Sequence, residues 1–200
     1  VGGTAGMGKA AAIQLLAEGD KVAIIGRDTA RAQAVADTIG ALGFGSDSDG
    51  LEAAMHRAVE ALGGLDGLAV TAGPIQKQAD LLALSDDDWA ESFETQLMTV
   101  VRALRVAVPA MTARGGGSIV TISAYSIRAP KPVLAHYAAM KAAIGVVTKT
   151  IAKAHGKTAA QVVLRWHVQQ PGVIAVPKSA TPQRIVENFA IADFALTAGE

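Results

Sequence analysis

The 200-residue sequence predicts an α/β fold in which a parallel sheet carries helices on both faces. Two observations predict this fold. Short apolar runs rich in β-branched residues alternate with longer segments of helical spacing, as parallel strands and crossover helices do. The strand-like runs are also apolar at successive positions, which is expected when both faces of a sheet are covered.

The first half of the chain repeats strands and helices in the order βαβαβ after a glycine-rich opening, GGTAGMG at 2–8. The run KVAIIG ends in polar residues, of which we expect Thr29 to cap the next helix. The predicted elements are helix 9–18, strand 21–26, helix 29–39, a weak strand at 42–45, helix 51–62 and strand 67–72.

The second half continues the alternation with longer helices. Ser85, followed by three Asp and Trp89, predicts a capped, acidic helix start. We expect this helix to cover 85–108 and to end before Pro109, because proline removes a helix hydrogen bond. A glycine turn at 115–117 precedes strand 118–123 (SIVTIS), and helix 133–154 follows.

The glycine turn lies at the very start of the sequence, directly after Val1. Such a turn is normally aimed by a preceding strand. We therefore expect the first strand of the sheet to be truncated. The gap that it leaves is predicted to lie between strands 21–26 and 67–72.

Composition narrows the class of partner. Lys and Arg together number 18, as do Asp and Glu, and the pI is about 7.1. This balance argues against electrostatic binding to nucleic acid or to an anionic membrane. Without Cys, and with four scattered His, the sequence predicts no disulfide and no metal site. No apolar run is long enough to span a membrane, and no leader peptide is evident. We expect a soluble, cytoplasmic protein with a small-molecule partner.

The glycine turn is a candidate phosphate site. Missing side chains at Gly2, Gly6 and Gly8 let the backbone approach a pyrophosphate at the positive end of a helix, with Thr4 and Met7 between them. A purely structural turn is the alternative, because small-residue turns are common.

The residue after strand 21–26 bears on the choice of dinucleotide. An acidic residue there would accept hydrogen bonds from the adenosine ribose and repel a 2′-phosphate. The sequence has Gly26 and Arg27 instead, and a guanidinium suits a phosphate dianion. This favours NADP(H), with NAD(H) possible, unless Arg27 is an ordinary solvated residue.

Tyr137 and Lys141 form the pattern Y-x-x-x-K within helix 133–154, one helical turn apart. A phenol with a pKa near 10 is a poor acid-base catalyst at neutral pH, and a nearby ammonium stabilises the phenolate and lowers that pKa. We expect the phenol to exchange a proton with a substrate oxygen during hydride transfer.

The order of these motifs resembles that of the short-chain dehydrogenase/reductases. The glycine turn, the triplet Thr71, Ala72, Gly73 that ends a strand, the SIVTIS strand and the Tyr137–Lys141 pair follow each other as in that family, over about 1–155. The resemblance implies a Rossmann-like sheet and an NAD(P)-dependent oxidoreductase that interconverts carbonyls and alcohols.

The resemblance also implies roles for individual residues. Tyr137 would be the acid/base, and Lys141 would lower its pKa and contact the nicotinamide ribose. Asp47 matches the family's adenine-contacting aspartate, with a simple turn former as the alternative. Ala72 and Gly73 would border the bound dinucleotide.

Three departures from the family pattern leave alternatives open. Ala124 stands where the family places a substrate-binding Ser, and Ser123 and Ser126 flank it. We prefer Ser126, since Ser123 at the strand end can simply close its ladder. Gln96 replaces a helix Asn whose backbone holds a proton-relay water, and TAGP replaces NNAG. The backbone role does not require an Asn side chain.

The tail, 151–197, instead resembles the C-terminal end of an aldo-keto reductase. In that family the matching residues surround the adenosine end of NADP(H); they are Lys178, Ser179, Arg184, Glu187 and Asn188. The barrel's catalytic residues are absent, and the chain therefore looks like a chimera with a Rossmann-like domain at 1–155 and a packed tail segment at 156–200. The alternative is that helix 158–169, strand 173–176 and helix 181–190 merely complete the sheet.

We predict that strand 173–176 lies beside strand 118–123, with the central gap as its alternative position. The function expected from the whole sequence is NADP(H)-dependent carbonyl/alcohol hydride transfer on a small molecule. Helices 85–108 and 133–154 are candidates for forming a homo-oligomer. The rival function is a catalytically inactive nucleotide-binding or structural domain.

Overall fold

The computed structural model describes residues 1–74 and 78–154, with side chains described as far as residue 151. The strands are β1 (Ala23–Gly26), β2 (Leu42–Gly45), β3 (Gly67–Val70) and β4 (Ser118–Thr121). The helices are α1 (Gly6–Ala17), α2 (Thr29–Ile39), α3 (Gly50–Leu62), α4 (Asp86–Ser92), α5 (Thr99–Ala113) and α6 (Ala135–Ala154). A π-helical turn, Phe93–Met98, joins α4 to α5, and three 3-10 turns lie at Leu81–Ala83, Tyr125–Ile127 and Pro132–Leu134.

The strands pair in parallel, as the alternation of strands and helices predicts. β1 pairs with β2, and Ile25 lies opposite Phe44. β3 pairs with β4, and Ala69 lies opposite Val120. The described part of the chain is thus a Rossmann-like α/β fold.

Val1 and Gly2 lie between the two pairs of strands. The amino group of Val1 donates to the carbonyl of Ala69 at 2.8 Å, and the amide of Thr71 donates back to the Val1 carbonyl at 2.9 Å, which is a parallel pairing. On the other side, the amide of Gly2 donates to Ile25 at 2.8 Å. Val1 and Gly2 therefore occupy the predicted gap at the carboxyl ends of β1 and β3.

Both faces of the sheet are covered by helices. Neighbouring strand residues point to opposite faces, and Ile24 and Ile25 of β1 are both buried. Ala12 of α1 and Ala36 of α2 pack with Ile24 in one core cluster. α3 and α5 pack against each other. Apolar side chains at successive strand positions thus predict the double coverage correctly.

Several bounds differ from the sequence-based expectations. Strands 21–26, 67–72 and 118–123 are shorter, at Ala23–Gly26, Gly67–Val70 and Ser118–Thr121, and helix 133–154 begins at Ala135. The helix expected at 85–108 is divided into α4, the π-helical turn and α5.

The helix expected to end before Pro109 runs on to Ala113, because the buried Val106, Ala107 and Met111 on both sides of the proline keep packing. The α2 cap is Asp28, not Thr29, since its carboxylate accepts from the Arg31 amide at 2.6 Å. α1 begins at Gly6, three residues earlier than expected.

The chain divides into two compact units, Val1–Gly145 and Val146–Glu200. Of the second unit, only the end of α6 lies within the described residues. The predictions for helix 158–169, strand 173–176, helix 181–190 and the adenosine-site residues of the tail lie outside them. The predicted boundary near residue 155 stays a prediction. No helix among the described residues is long and apolar enough to cross a membrane.

Candidate active site

The predicted site residues follow the carboxyl ends of three parallel strands. Parallel strands end at the same edge of a sheet, and ligands of open α/β sheets bind there. The loop after β1 carries Arg27, the loop after β3 carries Ala72 and Gly73, and Ser123 and Ser126 follow β4. The chain start brings the glycine turn to the same edge.

The glycine turn packs tightly against the loop after β3. Gly2 has φ +86°, and a Cβ there would lie 2.6 Å from the amide nitrogen of Ala72. A Cβ at Gly8 would overlap the Thr71 hydroxyl and the Gly2 carbonyl oxygen. That hydroxyl hydrogen-bonds to the carbonyls of Val1 at 3.1 Å and Gly2 at 3.3 Å. Only glycine permits these approaches, so the turn and the loop form one rigid cradle.

The start of α1 is open toward solvent at this cradle. Ala5 occupies the cap position and makes no side-chain cap, so the first-turn amides are left for another acceptor. A Cβ at Gly6, φ +51°, would meet nothing within 4 Å, and Met7 is 64% exposed. Thr4 packs its methyl group against Gly26. An uncapped helix start with open space before it fits a diphosphate.

Arg27 follows the end of β1 directly. Arg27 is exposed, and none of the described residues pairs with its guanidinium. Two nearby acids are engaged elsewhere: Asp28 caps α2, and Asp47 accepts hydrogen bonds from the backbone amide of Thr29 at 3.1 Å and from its hydroxyl. These bonds hold the pKa of Asp47 below its usual value. Asp47 therefore ties the loop after β2 to α2, and its predicted adenine contact stays a prediction.

Tyr137 and Lys141 lie together at the start of α6. The Lys141 Nζ is 5.5 Å from the centre of the Tyr137 ring and donates to the Ile122 carbonyl at 3.1 Å. Ile122 directly follows β4, so this bond anchors the pair at the carboxyl edge of the sheet. The Lys141 side chain is only 2% exposed.

Burial shifts the pKa values of both groups. It raises the pKa of the Tyr137 phenol and lowers that of the Lys141 ammonium, since each charged form loses hydration. In the protein alone, burial thus opposes the lowering of the Tyr137 pKa that the sequence predicts from Lys141. Both shifts favour the neutral forms of the two groups.

The structure separates the two candidate serines. The Ser123 hydroxyl hydrogen-bonds to the backbone carbonyl of Lys141 at 3.3 Å, so it helps to hold α6 on the strand end. Ser126 is buried in the turn Tyr125–Ile127, and no described residue hydrogen-bonds to its hydroxyl. A buried hydroxyl with free hydrogen-bonding capacity suits a substrate oxygen better than one already engaged.

Gln96 lies in the π-helical turn Phe93–Met98 and is completely buried. Its amide nitrogen donates to the Pro74 carbonyl, in the loop that follows Gly73. The sequence predicts a backbone role for Gln96; the structure adds this side-chain contact.

Sequence reasoning missed three residues of this region. The Thr71 hydroxyl holds the glycine turn, Pro74 accepts from Gln96, and His136 is buried beside Tyr137 with its ring edge-on to Trp89, 6.2 Å between centroids. Among the described residues nothing hydrogen-bonds to the His136 Nδ1. Thr71 and Pro74 belong to the segment TAGP, which carries a signal in the sequence, and nothing in the sequence marks His136.

Two relatives cover most of this chain. 3-Oxoacyl-(acyl-carrier-protein) reductase FabG of Staphylococcus aureus is 30% identical over 161 residues, which cover 76% of this chain and 65% of that enzyme. The solved structure of the TT0495 protein from Thermus thermophilus matches with a TM-score of 0.68 at 29% identity and covers 76% of this chain and 67% of that one.

Other matches are short. Aldo-keto reductase family 1 member A1-A of Danio rerio is 53% identical over 47 residues, 24% of this chain and 14% of that protein. Further relatives at 50% to 56% identity are matched over 18% or 19% of their length. This chain therefore spans less than a fifth of the length of these relatives.

The short chain dehydrogenase family matches residues 1–184. This match includes the glycine turn, the T-A-G triplet, the SIVTIS strand and the Tyr137–Lys141 pair, and it extends beyond residue 155, where the sequence places the start of the tail. Because the match takes in most of the 200 residues, the chain belongs to the short chain dehydrogenase family.

Proposed function

We propose that this chain is an NADP(H)-dependent oxidoreductase that interconverts carbonyl compounds and alcohols. The observation that carries the proposal is the Tyr137–Lys141 pair, anchored through Ile122 at the same sheet edge as the glycine cradle. The cradle's uncapped helix start suits the diphosphate of a dinucleotide. The chemistry that NADP(H) supplies when bound is hydride transfer.

The chain's own residues manage the proton and the substrate oxygen. The neutral Tyr137 phenol donates its proton to the carbonyl oxygen as that oxygen gains negative charge. The Lys141 ammonium, 5.5 Å from the ring centre, stabilises the phenolate that remains. The Ser126 hydroxyl donates a hydrogen bond to the substrate oxygen and orients it. In alcohol oxidation the same groups act in reverse.

The experiment that tests the function is a titration with NADP⁺ and NAD⁺, followed by turnover of a panel of aldehydes and ketones with the reduced dinucleotides. We expect saturable binding and reduction of at least one carbonyl compound. Binding without turnover would instead favour the rival function, a catalytically inactive nucleotide-binding domain.

We expect Arg27→Ala to remove most of a preference for NADP(H) over NAD(H). Arg27 is exposed at the end of β1, and a charged hydrogen bond to a 2′-phosphate contributes about 1.5 to 3 kcal/mol, roughly a 10- to 150-fold preference. Lys21→Ala is the matched control, because it removes an exposed cation before β1, at the opposite end of the strand. Tighter binding of NAD⁺ than NADP⁺ by the unmodified chain would contradict the assignment.

A side-by-side comparison of Ser126→Ala and Ser123→Ala should identify the substrate-orienting hydroxyl. We expect Ser126→Ala to lower kcat by about tenfold or more, the cost of one lost hydrogen bond near 1.4 kcal/mol. Ser123→Ala should mainly lower the melting temperature, since its hydroxyl bonds to the Lys141 backbone. The reverse pattern would assign the role to Ser123.

We also propose that the substrate is a small carbonyl compound or alcohol and that the protein is cytoplasmic. Exposed apolar side chains, Phe93 at 42% and Val146 at 65%, support a homo-oligomer through helices 85–108 and 133–154. The short match to an aldo-keto reductase supports a chimeric chain.

A further inference from the structure

One face of α6 and of the turn before it runs from the interior of the protein to its surface. The turn Pro132–Leu134 leads directly into Ala135, so Val133, Tyr137 and Lys141 follow each other about one helical turn apart on one face. Lys141 is buried, Tyr137 is partly buried, and Val133 is 40% exposed. A substrate whose oxygen meets the Tyr137 phenol therefore passes Val133 where it extends toward solvent.

A second apolar turn borders this row of side chains. The turn Leu81–Ala83 lies beside the turn Pro132–Leu134. Leu81 is exposed, and Leu82 is 94% exposed. The backbone amide of Leu82 is already engaged, because it donates to the Asp80 carboxylate at 3.1 Å. What this turn offers to a ligand is therefore apolar side chain.

The loop after β4 adds a further apolar side chain. Ile127 is exposed and directly follows Ser126, whose buried hydroxyl is hydrogen-bonded to no described residue. Single exposed apolar side chains are common on protein surfaces, whereas a group of them on neighbouring turns is typical of a binding site. This group, the apolar rim, consists of Leu81, Leu82, Ile127 and Val133.

We propose that the apolar rim binds the hydrocarbon chain of the substrate, so that the preferred substrates are carbonyl compounds and alcohols with an extended aliphatic part. The proposal rests on the proposed function, because it takes Tyr137 and Ser126 as the groups that hold the substrate oxygen. With the oxygen held there, the chain lies along the face that leads to Val133. Each methylene group buried against the rim strengthens binding about fourfold.

A comparison of propanal with hexanal tests the substrate class. The two aldehydes differ by three methylene groups and carry the same reacting group. We expect kcat/KM with NADPH to be at least about tenfold higher for hexanal than for propanal. Equal values, or a preference for propanal, would overturn the proposal.

Leu82→Gln and Val133→Thr test whether the rim causes this preference. Both substitutions keep the approximate size of the side chain and remove apolar surface, and Leu82 is too exposed to contribute to the core. Each should lower the hexanal-to-propanal ratio by about threefold or more, and change kcat/KM for propanal by less than about twofold. Leu42→Gln is the matched control, because Leu42 is exposed at the start of β2, at the opposite edge of the sheet. An unchanged ratio in both rim variants would refute the assignment.

Binding of primary amides separates the rim from the reaction, because amides carry a carbonyl oxygen and resist hydride transfer. In calorimetric titrations with and without NADP⁺, we expect hexanamide to bind at least about tenfold more tightly than propanamide. Absence of turnover with this preference intact would refute the proposed reaction and leave the rim standing. Equal affinities for the two amides would overturn the rim alone. So would a change in the sedimentation mass of Leu82→Gln with both ratios unchanged, since a second copy of the chain would then cover Leu82.

Discussion

Tyr137→Phe should lower kcat for carbonyl reduction by about 100-fold or more, the usual cost of losing a general acid. Phenylalanine keeps the ring beside the Lys141 ammonium, 5.5 Å away, and removes only the proton donor. NADP⁺ affinity should change by less than about tenfold, because one neutral hydrogen bond at most is lost. Steady-state kinetics and a dinucleotide titration on the same preparation measure both quantities.

Tyr125→Phe is the matched control, since the sequence contains only two Tyr and Tyr125 is 79% exposed. It removes the same hydroxyl close to the same strand end and should leave kcat nearly unchanged. If Tyr137→Phe retained near-normal turnover, proton transfer would have to be assigned to another group, and the mechanism built on the Tyr137–Lys141 pair would fail.

The fold could be predicted where local sequence and burial agree. Runs such as KVAIIG mark strands because successive β-branched and apolar residues suit a sheet covered on both faces, and β1 lies within that run. The bounds of α2 were predicted because a polar segment precedes it and Gly40, with φ +81°, ends it. In both cases the deciding interactions lie close together in sequence.

Prediction failed where tertiary packing overrides a local rule. Pro109 lacks the amide that would bond one turn back, yet the buried Val106 and Met111 hold the helix on either side of it. The π-helical turn at Phe93–Met98 has no composition signal of its own, so its position follows only from what α4 and α5 each contact. The continuation of the helix past Pro109 and the position of the π-helical turn both depend on contacts with other parts of the fold.

In the candidate site too, the residues linked by local spacing could be predicted and the long-range contacts could not. Tyr137 and Lys141 could be found from the sequence because one helical turn places the two side chains together and because the pair follows the glycine turn, the T-A-G triplet and the SIVTIS run in the order of the family. The bond from Thr71 to Val1 spans 70 residues, and the bond from Gln96 to Pro74 spans 22. Contacts at such separations depend on the arrangement of β3 and α5, which no short motif describes.

The second large effect on stability and binding is expected at Gly8, a helical glycine. Neighbouring atoms occupy the space that a side chain at Gly8 would need. A Cβ there would overlap both the Thr71 hydroxyl and the Gly2 carbonyl oxygen, and the carbonyl belongs to the backbone of the cradle. Gly8→Ala should therefore lower the free energy of unfolding by about 1 to 3 kcal/mol, as overpacking does. NADP⁺ affinity should also fall by about tenfold or more, since the cradle must move to relieve the overlap.

Gly145 provides the opposite case within the same fold. It also lies in a helix, α6, and a Cβ there would meet none of the described residues within 4 Å. Alanine is favoured over glycine inside a helix, so Gly145→Ala should raise the free energy of unfolding by about 0.5 to 1 kcal/mol. The same substitution is thus expected to have opposite signs at two helical glycines, and thermal unfolding of the two variants checks this. A stabilising Gly8→Ala would show that the close contact between the glycine turn and Thr71 is absent in solution.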